Sequence, residues 1–201
     1  MTAPLVSIVL PNLNNRRFLV DRLETILAQS YSHWELIIVD SYSDDGAWAL
    51  IQDYAANDSR FRISQAPREG IYPGLNRCLR LAKGEYVYIA TSDDTMDPDC
   101  IEKMVAALET YPDCGICHVC LRVINENGDA IDGKWRRFPV SRYFGDLMDV
   151  PHIRRAPYDG ILHGGVYTVY TSLTQLLIRR SVFDEVGLFR SDWGSEGDFE
   201  W

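Results

Sequence analysis

The chain has 201 residues, of which 46% are hydrophobic and 24% are charged, as in an ordinary soluble globular protein. Its formal net charge of −9 argues against a nucleic-acid-binding protein, which normally has a basic face. No apolar run approaches the roughly 20 residues that cross a bilayer, and the N-terminus lacks the charged and apolar regions of a signal peptide. We therefore expect a cytoplasmic protein, whose five cysteines are reduced thiols.

Strands and helices are predicted to alternate along the first half of the chain. Short apolar runs predict strands at 6–10, 34–39, 61–64 and 85–90. Apolar residues at helical spacing predict helices at 16–29, 45–56, 73–82 and from Pro98 to about residue 110. This alternation is typical of an α/β fold in which helices flank a mainly parallel, Rossmann-like sheet.

The second half is less regular. A strand is predicted at 114–124, followed by a hairpin-type turn at Asn125–Asp129. Residues 133–165 then show no periodicity, and a long irregular segment in a compact domain is usually functional or mobile. A strand at 172–179 and a short helix at 181–186 follow.

We predict a single domain over residues 1–201, with a regular half at 1–97 and a less regular half at 98–201. The chain ends at Trp201 inside a helical pattern that has no stop signal. We therefore expect the second half to be truncated at its C-terminus.

Three polar loops follow predicted strands of the first half: Pro11–Asn14, Asp40–Gly46 and Ser92–Asp94. Parallel strands end at one edge of the sheet, where open α/β folds bind ligands. The absence of GxGxxG, GxxxxGK[ST] and GxSxG argues against a usual dinucleotide site, a P-loop and an α/β-hydrolase. The acids in Ser92–Asp94 suit a divalent cation that also holds substrate phosphates. Capping of the next helix is the simpler alternative.

These motifs together resemble the family-2 glycosyltransferases, and the resemblance covers essentially all 201 residues. Residues 6–14 are similar to the opening strand and Pro-Thr-Tyr-Asn turn of that family, and residues 34–46 to its second strand and Asp-Gly-Ser loop. Residues 70–76 and 81–86 resemble the stretch before its metal motif. The resemblance implies a GT-A type fold, a nucleotide-sugar-binding half at 1–97 and an acceptor-binding half at 98–201.

The resemblance also implies a nucleotide-sugar site. Asp40 would accept a hydrogen bond from the base, and the other implied contacts are Pro11, Asn12, Asn14, Asn76, Ser92 and Asp93. Asp93 matches the last Asp of the Asp-x-Asp motif of the family, so Asp93 and Asp94 would bind Mn²⁺ or Mg²⁺. Thr91 stands where the first Asp of that motif is expected.

A third motif, Trp193–Trp201, resembles the late Glu-Asp motif of the family, with Gly197 in place of the Glu. Inverting transfer needs one carboxylate to deprotonate the acceptor hydroxyl. Asp198 aligns with that catalytic base, and Glu196 and Glu200 are rivals for the role. The resemblance places His163 and Glu196 among the acceptor-binding residues, although a lone His is more often structural.

The resemblance thus implies an inverting glycosyltransferase of polysaccharide or glycoconjugate assembly. Its donor would be a UDP- or GDP-sugar, and its acceptor a saccharide, a lipid-linked group or a protein. The arginine pairs 136–137 and 154–155 could contact a phosphorylated acceptor or the inner face of a membrane, although a solvated surface explains each pair more simply. A nucleotidyltransferase and a non-catalytic nucleotide-sugar-binding module are the alternatives. The oligomeric state is left open.

Overall fold

The computed structural model describes residues 3–133, 140–165, 172–192 and 201. The chain forms two compact units, one of residues 1–117 with 176–201 and the other of residues 118–175. The boundary at residue 97 that was predicted for the two functional halves lies inside the first unit. The reason is that residues 98–117 belong to that unit, and the last described strand, Leu176–Arg179, returns to its sheet.

A six-stranded sheet has the strand order β3-β2-β1-β4-β6-β5. Its strands are β1 (Val6–Asn12), β2 (Trp34–Asp40), β3 (Phe61–Gln65), β4 (Tyr86–Ile89), β5 (Ile116–His118) and β6 (Leu176–Arg179). The β1–β2, β1–β4 and β2–β3 pairs are parallel, and β4–β6 is antiparallel. The predicted α/β architecture with a mainly parallel sheet is therefore confirmed.

In the described part of the first unit, five helices accompany this sheet: α1 (Arg16–Leu27), α2 (Ala47–Asn57), α3 (Ile71–Leu81), α4 (Cys100–Thr110) and α7 (Arg180–Val186). All of β2 and nearly all of β1 are buried, as expected of parallel strands that are covered on both faces. Helix α3 packs against both strands. A Cβ atom at Gly74 would lie 3.3 Å from Pro11 Cβ, so this glycine allows α3 to approach the end of β1 closely.

The second unit contains α5 (Val140–Phe144), α6 (Tyr158–Gly165) and 3₁₀-helices at Gly145–Asp149 and Leu173–Gln175. The prediction of an irregular segment at 133–165 was therefore wrong for residues 140–149 and 158–165, whereas residues 150–157 form neither helix nor strand and residues 134–139 lie outside the described ranges. These helices have only three to eight residues, about two turns at most, so they leave little periodicity in the sequence. The strand predicted at 114–124 is confined to β5. Of the strand predicted at 172–179, only Leu176–Arg179 is a strand, because Leu173–Gln175 form the second 3₁₀-helix.

Two local features complete the description. The predicted turn at Asn125 is confirmed, because Asn125 Oδ1 accepts hydrogen bonds from the backbone N–H groups of Asn127 and Asp129, both at 2.9 Å. Within the described ranges, no helix combines the length and the apolar composition that are needed to cross a membrane.

Candidate nucleotide-sugar site

The carboxylate of Asp40 lies at the carboxyl end of β2 and is fully buried, with 0% exposure. Its Oδ1 accepts hydrogen bonds from Asn12 Nδ2 at 2.9 Å and Ser43 Oγ at 2.5 Å. Its Oδ2 accepts from the Ser43 N–H and from Gln65 Nε2, both at 3.0 Å. Burial alone would raise the pKa of Asp40, but hydrogen bonds from Ser43, Gln65 and Asn12 outweigh it and lower the pKa. Asp40 is therefore a charged carboxylate that joins the ends of three strands.

Asn12 holds an unused acceptor in this network. Its Nδ2 donates to Asp40 and to Ser43 Oγ, the latter at 3.3 Å, whereas its buried Oδ1 has no hydrogen-bond partner among the described residues. Buried polar atoms of this kind are rare and usually meet a water molecule or a ligand. The amide of Asn12 therefore gives this edge a position for one further donor.

The loops after β1 and β2 are joined through Asn14. Its backbone N–H donates to Ser43 Oγ at 2.9 Å, and its side chain exchanges two hydrogen bonds with Asp44, at 3.0 and 2.9 Å. Asn14 has a φ of 53°, in the left-handed region that asparagine tolerates better than most residues. Asp45 accepts from the backbone N–H groups of Arg16 and Ala47, so it ties the first turns of α1 and α2 together.

The loop after β4 reaches the same edge through Ser92. Asn15 Nδ2 donates to the buried Ser92 Oγ at 2.6 Å, which links the start of α1 to this loop. Thr91 Oγ1 donates to Asp94 Oδ2 at 2.6 Å. The three loops that were predicted to converge at the carboxyl edge are thus brought together by specific hydrogen bonds.

Asp93 and Asp94 fit part of a divalent-cation site. Asp93 is exposed and has no hydrogen bond to any described residue, whereas Asp94 is partly exposed and keeps Oδ1 free of hydrogen bonds within those ranges. No group of three or more His, Cys, Asp or Glu residues in the described ranges could hold a metal ion. Mg²⁺ is commonly bound by one or two carboxylates together with substrate phosphates, and these two acids match that ligand set.

Asn76 lies apart from this hydrogen-bonded cluster, on α3. Its Nδ2 donates to the Phe189 carbonyl at 2.8 Å, and its Oδ1 accepts from the Phe189 N–H at 3.1 Å. The structure thus gives Asn76 a role in holding the segment after α7. Its contact with the nucleotide sugar stays a prediction.

The predicted catalytic and acceptor residues are described only in part. Asp198, Glu196, Gly197 and Glu200 lie outside the described residues. Trp201 is described: its ring lies 5.0 Å from that of Phe183 and 4.9 Å from that of Phe189, and its Nε1 donates to the Gly187 carbonyl at 2.8 Å. His163 lies on α6 of the second unit, and its acceptor contact stays a prediction.

The surface interpretation of the arginine pairs was wrong for Arg154. Its side chain is only 9% exposed, its Nε lies 3.2 Å from Asp159 Oδ2, and its guanidinium lies 4.5 Å from the centre of the Phe144 ring. It also hydrogen-bonds to His118 Nε2. Burial, with added repulsion from Arg154 and His152, lowers the pKa of His118 to about 4. Arg155 is exposed, and residues 136 and 137 lie outside the described ranges.

Several residues of the carboxyl edge were missed in the sequence. Gln65 ends β3, so the same rule that selected Asp40 at the end of β2 would have found it. Ser43 and Asn15 lie in or beside loops that were selected. Arg68 gave no local signal, because its contacts with Ser41 and Asp44 join residues that are more than 20 positions apart.

The chain is similar to a known protein family and to named relatives. Residues 7–187 match the model of Glycosyl transferase family 2. TuaG of Bacillus subtilis (strain 168), named as a candidate glycosyltransferase of teichuronic acid biosynthesis, is 31% identical over 146 residues. That alignment covers 72% of this chain and 57% of TuaG.

Two solved structures share the fold. The crystal structure of S. aureus TarS 1–349 matches with a TM-score of 0.73 at 17% identity. The match covers 96% of this chain and 52% of the TarS chain. TarS has also been solved with UDP-GlcNAc. The mannosyltransferase PcManGT from Pyrobaculum calidifontis, solved in complex with GDP-Man and Mn²⁺, matches with a TM-score of 0.67 at 20% identity. That match covers 96% of this chain and 49% of the PcManGT chain.

The chain therefore spans about half the length of these proteins. Because the family model matches nearly the whole of it, the chain belongs to glycosyl transferase family 2.

Proposed function

We propose that this chain is an inverting glycosyltransferase that moves a sugar from a nucleotide-diphosphate donor to a hydroxyl acceptor in polysaccharide or glycoconjugate assembly. The observation that carries the proposal is the carboxyl edge of the sheet, where Asp40 joins the ends of β1, β2 and β3 and where Ser92 ties the loop that carries the exposed Asp93 to the start of α1. The names of the relatives support it: TuaG is named for teichuronic acid biosynthesis, and TarS and PcManGT were solved with UDP-GlcNAc and GDP-Man.

In this proposal the nucleoside binds against the loops after β1 and β2, where Pro11, Asn12 and Asn14 lie. The unused Oδ1 of Asn12 offers an acceptor for one donor group of the nucleoside. The hydrogen bond from the base to Asp40 stays a prediction, since four donors already surround that carboxylate. Loss of the carboxylate would in either case release Asn12 and Ser43, so donor binding depends on Asp40.

The diphosphate binds near the loop after β4, where Asp93 and Asp94 would hold Mn²⁺ or Mg²⁺. When bound there, the cation neutralises negative charge on the leaving diphosphate. Thr91 stands in place of a further acid and instead donates its hydroxyl to Asp94, which fixes the position of that carboxylate. Ser92, held by Asn15, places the backbone that carries both acids.

On the acceptor side, Asp198 acts as the general base in this proposal, and Glu196 and His163 bind the acceptor. The acceptor hydroxyl loses its proton to Asp198 as its oxygen attacks the anomeric carbon, and the bond to the diphosphate breaks. Inversion follows because the attack is direct and no covalent enzyme intermediate is needed. We place this reaction in the cytoplasm or at the inner face of the membrane, with a saccharide, a lipid-linked group or a protein as acceptor.

Calorimetric titration with a panel of UDP- and GDP-sugars, with Mn²⁺ and with chelator, tests the donor assignment. We expect one of these donors to bind, and to bind more tightly with Mn²⁺. Failure of the folded chain to bind any of them would contradict the proposal.

Donor hydrolysis with Mn²⁺ then separates an enzyme from a non-catalytic binding module. Formation of pyrophosphate from a nucleoside triphosphate and a sugar phosphate would instead indicate a nucleotidyltransferase.

A further inference from the structure

The backbone of Tyr42 is unusual for a bulky residue. Its φ is 51°, in the left-handed region where residues other than Gly, Asn and Asp are rarely found. A glycine would adopt this conformation without strain. Such strain persists only where surrounding contacts enforce it, and it is concentrated at functional sites.

Contacts on both sides hold Tyr42 in this conformation. The Ser41 N–H donates to the Asn12 carbonyl at 2.8 Å, and Ser43 is bonded to Asp40. Arg68 donates from Nε to the Ser41 carbonyl at 3.1 Å and from Nη2 to the Tyr42 carbonyl at 2.5 Å. The rigid fork of one guanidinium therefore fixes two successive peptide units.

The side chain of Tyr42 is not held by a polar or aromatic contact in the described part of the molecule. It is 54% exposed, and it makes no hydrogen bond or ring contact with a described residue. Leu13, in the loop after β1, is 43% exposed. Two large apolar side chains are thus left accessible on the loops that Asn14 joins to each other, beside the polar network of Asn12 and Asp40.

The position of Tyr42 in the sheet indicates which part of a donor it would meet. Tyr42 follows β2, Asp93 follows β4, and β1 lies between these two strands. Two interstrand spacings amount to roughly 10 Å. That separation suits a nucleoside whose diphosphate lies near Asp93 and whose base lies near Tyr42. Aromatic side chains stack on the flat faces of all nucleobases.

We propose that Tyr42 is a base-stacking residue, and that Arg68 is the positioning residue that holds the strained backbone behind it. The inference rests on the proposed nucleotide-sugar donor and adds a specific contact to it. The strain is retained because it places an aromatic ring at the surface of the donor site, where a glycine would leave no ring.

Calorimetric titration of UDP and GDP into the wild type and three variants tests this contact. Tyr42→Gly removes the ring and relieves the strain, so we expect affinity to fall about 5- to 150-fold, the value of one stacked base. Its melting temperature should be no lower than that of the wild type. Tyr42→Phe should bind like the wild type. Tyr111→Ala, which truncates a Tyr with 47% exposure at the end of α4, is the matched control and should also bind normally.

The outcomes separate the two proposals. If the wild type binds either nucleotide and Tyr42→Gly binds it equally well, the stacking role is wrong and the donor proposal stands. If the folded wild type binds neither nucleotide, both are overturned. Arg68→Met should weaken binding in the wild type and much less in Tyr42→Gly, because a positioning residue acts through the ring. Equal losses in both backgrounds would overturn the role of Arg68.

Discussion

Strand β2 has a buried carboxylate near each of its ends, and the two differ in what surrounds them. Glu35 Oε1 accepts hydrogen bonds from Ser7 Oγ and the Lys83 N–H, both at 2.7 Å, and Arg62 Nη1 lies 3.1 Å from Oε2. As with Asp40, burial would raise the pKa of Glu35, but these hydrogen bonds lower it. A buried and fully hydrogen-bonded carboxylate is therefore not in itself evidence of a functional site.

The difference lies in the neighbouring groups. At the amino edge, a Cβ atom at Gly84 would come within 2.6 Å of the Leu5 carbonyl and the Ser7 nitrogen, so the backbone around Glu35 is tightly packed. At the carboxyl edge, the loops around Asp40 leave Asp93 and Tyr42 exposed and the Oδ1 of Asn12 without a partner in the described ranges. The amino-edge network stabilises the sheet, whereas the carboxyl-edge network also presents groups to a ligand.

The largest effect on transfer is expected from Asp198, which lies outside the described residues. Asp198→Ala should lower the transfer rate by about 10²–10⁴-fold and spare donor binding, because it removes only the general base. Glu196→Ala and Glu200→Ala, assayed in parallel, are the comparison. The assignment fails if Asp198→Ala keeps the wild-type rate while one of the other two variants loses it.

The next largest effect is expected from Asp40, and it is tested by comparing the two buried carboxylates directly. Asp40→Asn and Glu35→Gln should each lower the free energy of unfolding by about 1–3 kcal/mol, since each removes a charged hydrogen-bond acceptor. Only Asp40→Asn should also weaken donor binding, by about 5- to 150-fold. Urea unfolding and calorimetry measure the two quantities. Equal donor affinity in the two variants would remove the functional distinction between the two edges.

A smaller effect is expected at the exposed acid. Asp93→Asn should remove the increase in donor affinity that Mn²⁺ gives, while the melting temperature stays unchanged because the side chain has no described partner. Asp53→Asn, at an exposed position on α2, is the control and should keep the Mn²⁺ effect. Wild-type donor affinity that does not respond to chelator would show that binding is independent of metal.

The smallest effect is the pH dependence of stability. The pKa values of Asp40 and Glu35 lie below their ordinary values of 3.8 and 4.5. In acid the unfolded chain therefore binds protons that the folded chain does not, so the stability that these groups add is lost as the pH falls through their folded pKa values. Urea midpoints below about pH 5 should fall less steeply in Asp40→Asn and Glu35→Gln than in the wild type. Parallel curves would contradict this linkage.

The sequence predicted the first unit well because its strands are buried and its helices have clear apolar faces. The three loops of the candidate site followed from one rule, that parallel strands end at a common edge. The contacts that organise those loops were not predictable. Arg68 donates hydrogen bonds to Ser41 and Tyr42 from a loop that is distant in sequence. The left-handed backbone of Tyr42 is unusual for a tyrosine, so its residue type gave no indication of it.

The second unit was predicted poorly for a different reason. Its helices are too short to show a helical period of apolar residues, and the sequence predicts Arg154 to be a surface residue. Its burial depends on an ion pair with Asp159 and on the ring of Phe144. Such contacts arise only from the tertiary structure.

Amide hydrogen exchange, measured with and without a UDP- or GDP-sugar and Mn²⁺, tests the central claim most directly, because it compares the two edges in one experiment. We expect the donor to slow exchange in the loops at 11–16, 41–46 and 91–95, and to leave the amino-edge segment at 81–86 unchanged. Slower exchange at the amino edge, with no change in the three loops, would contradict the account.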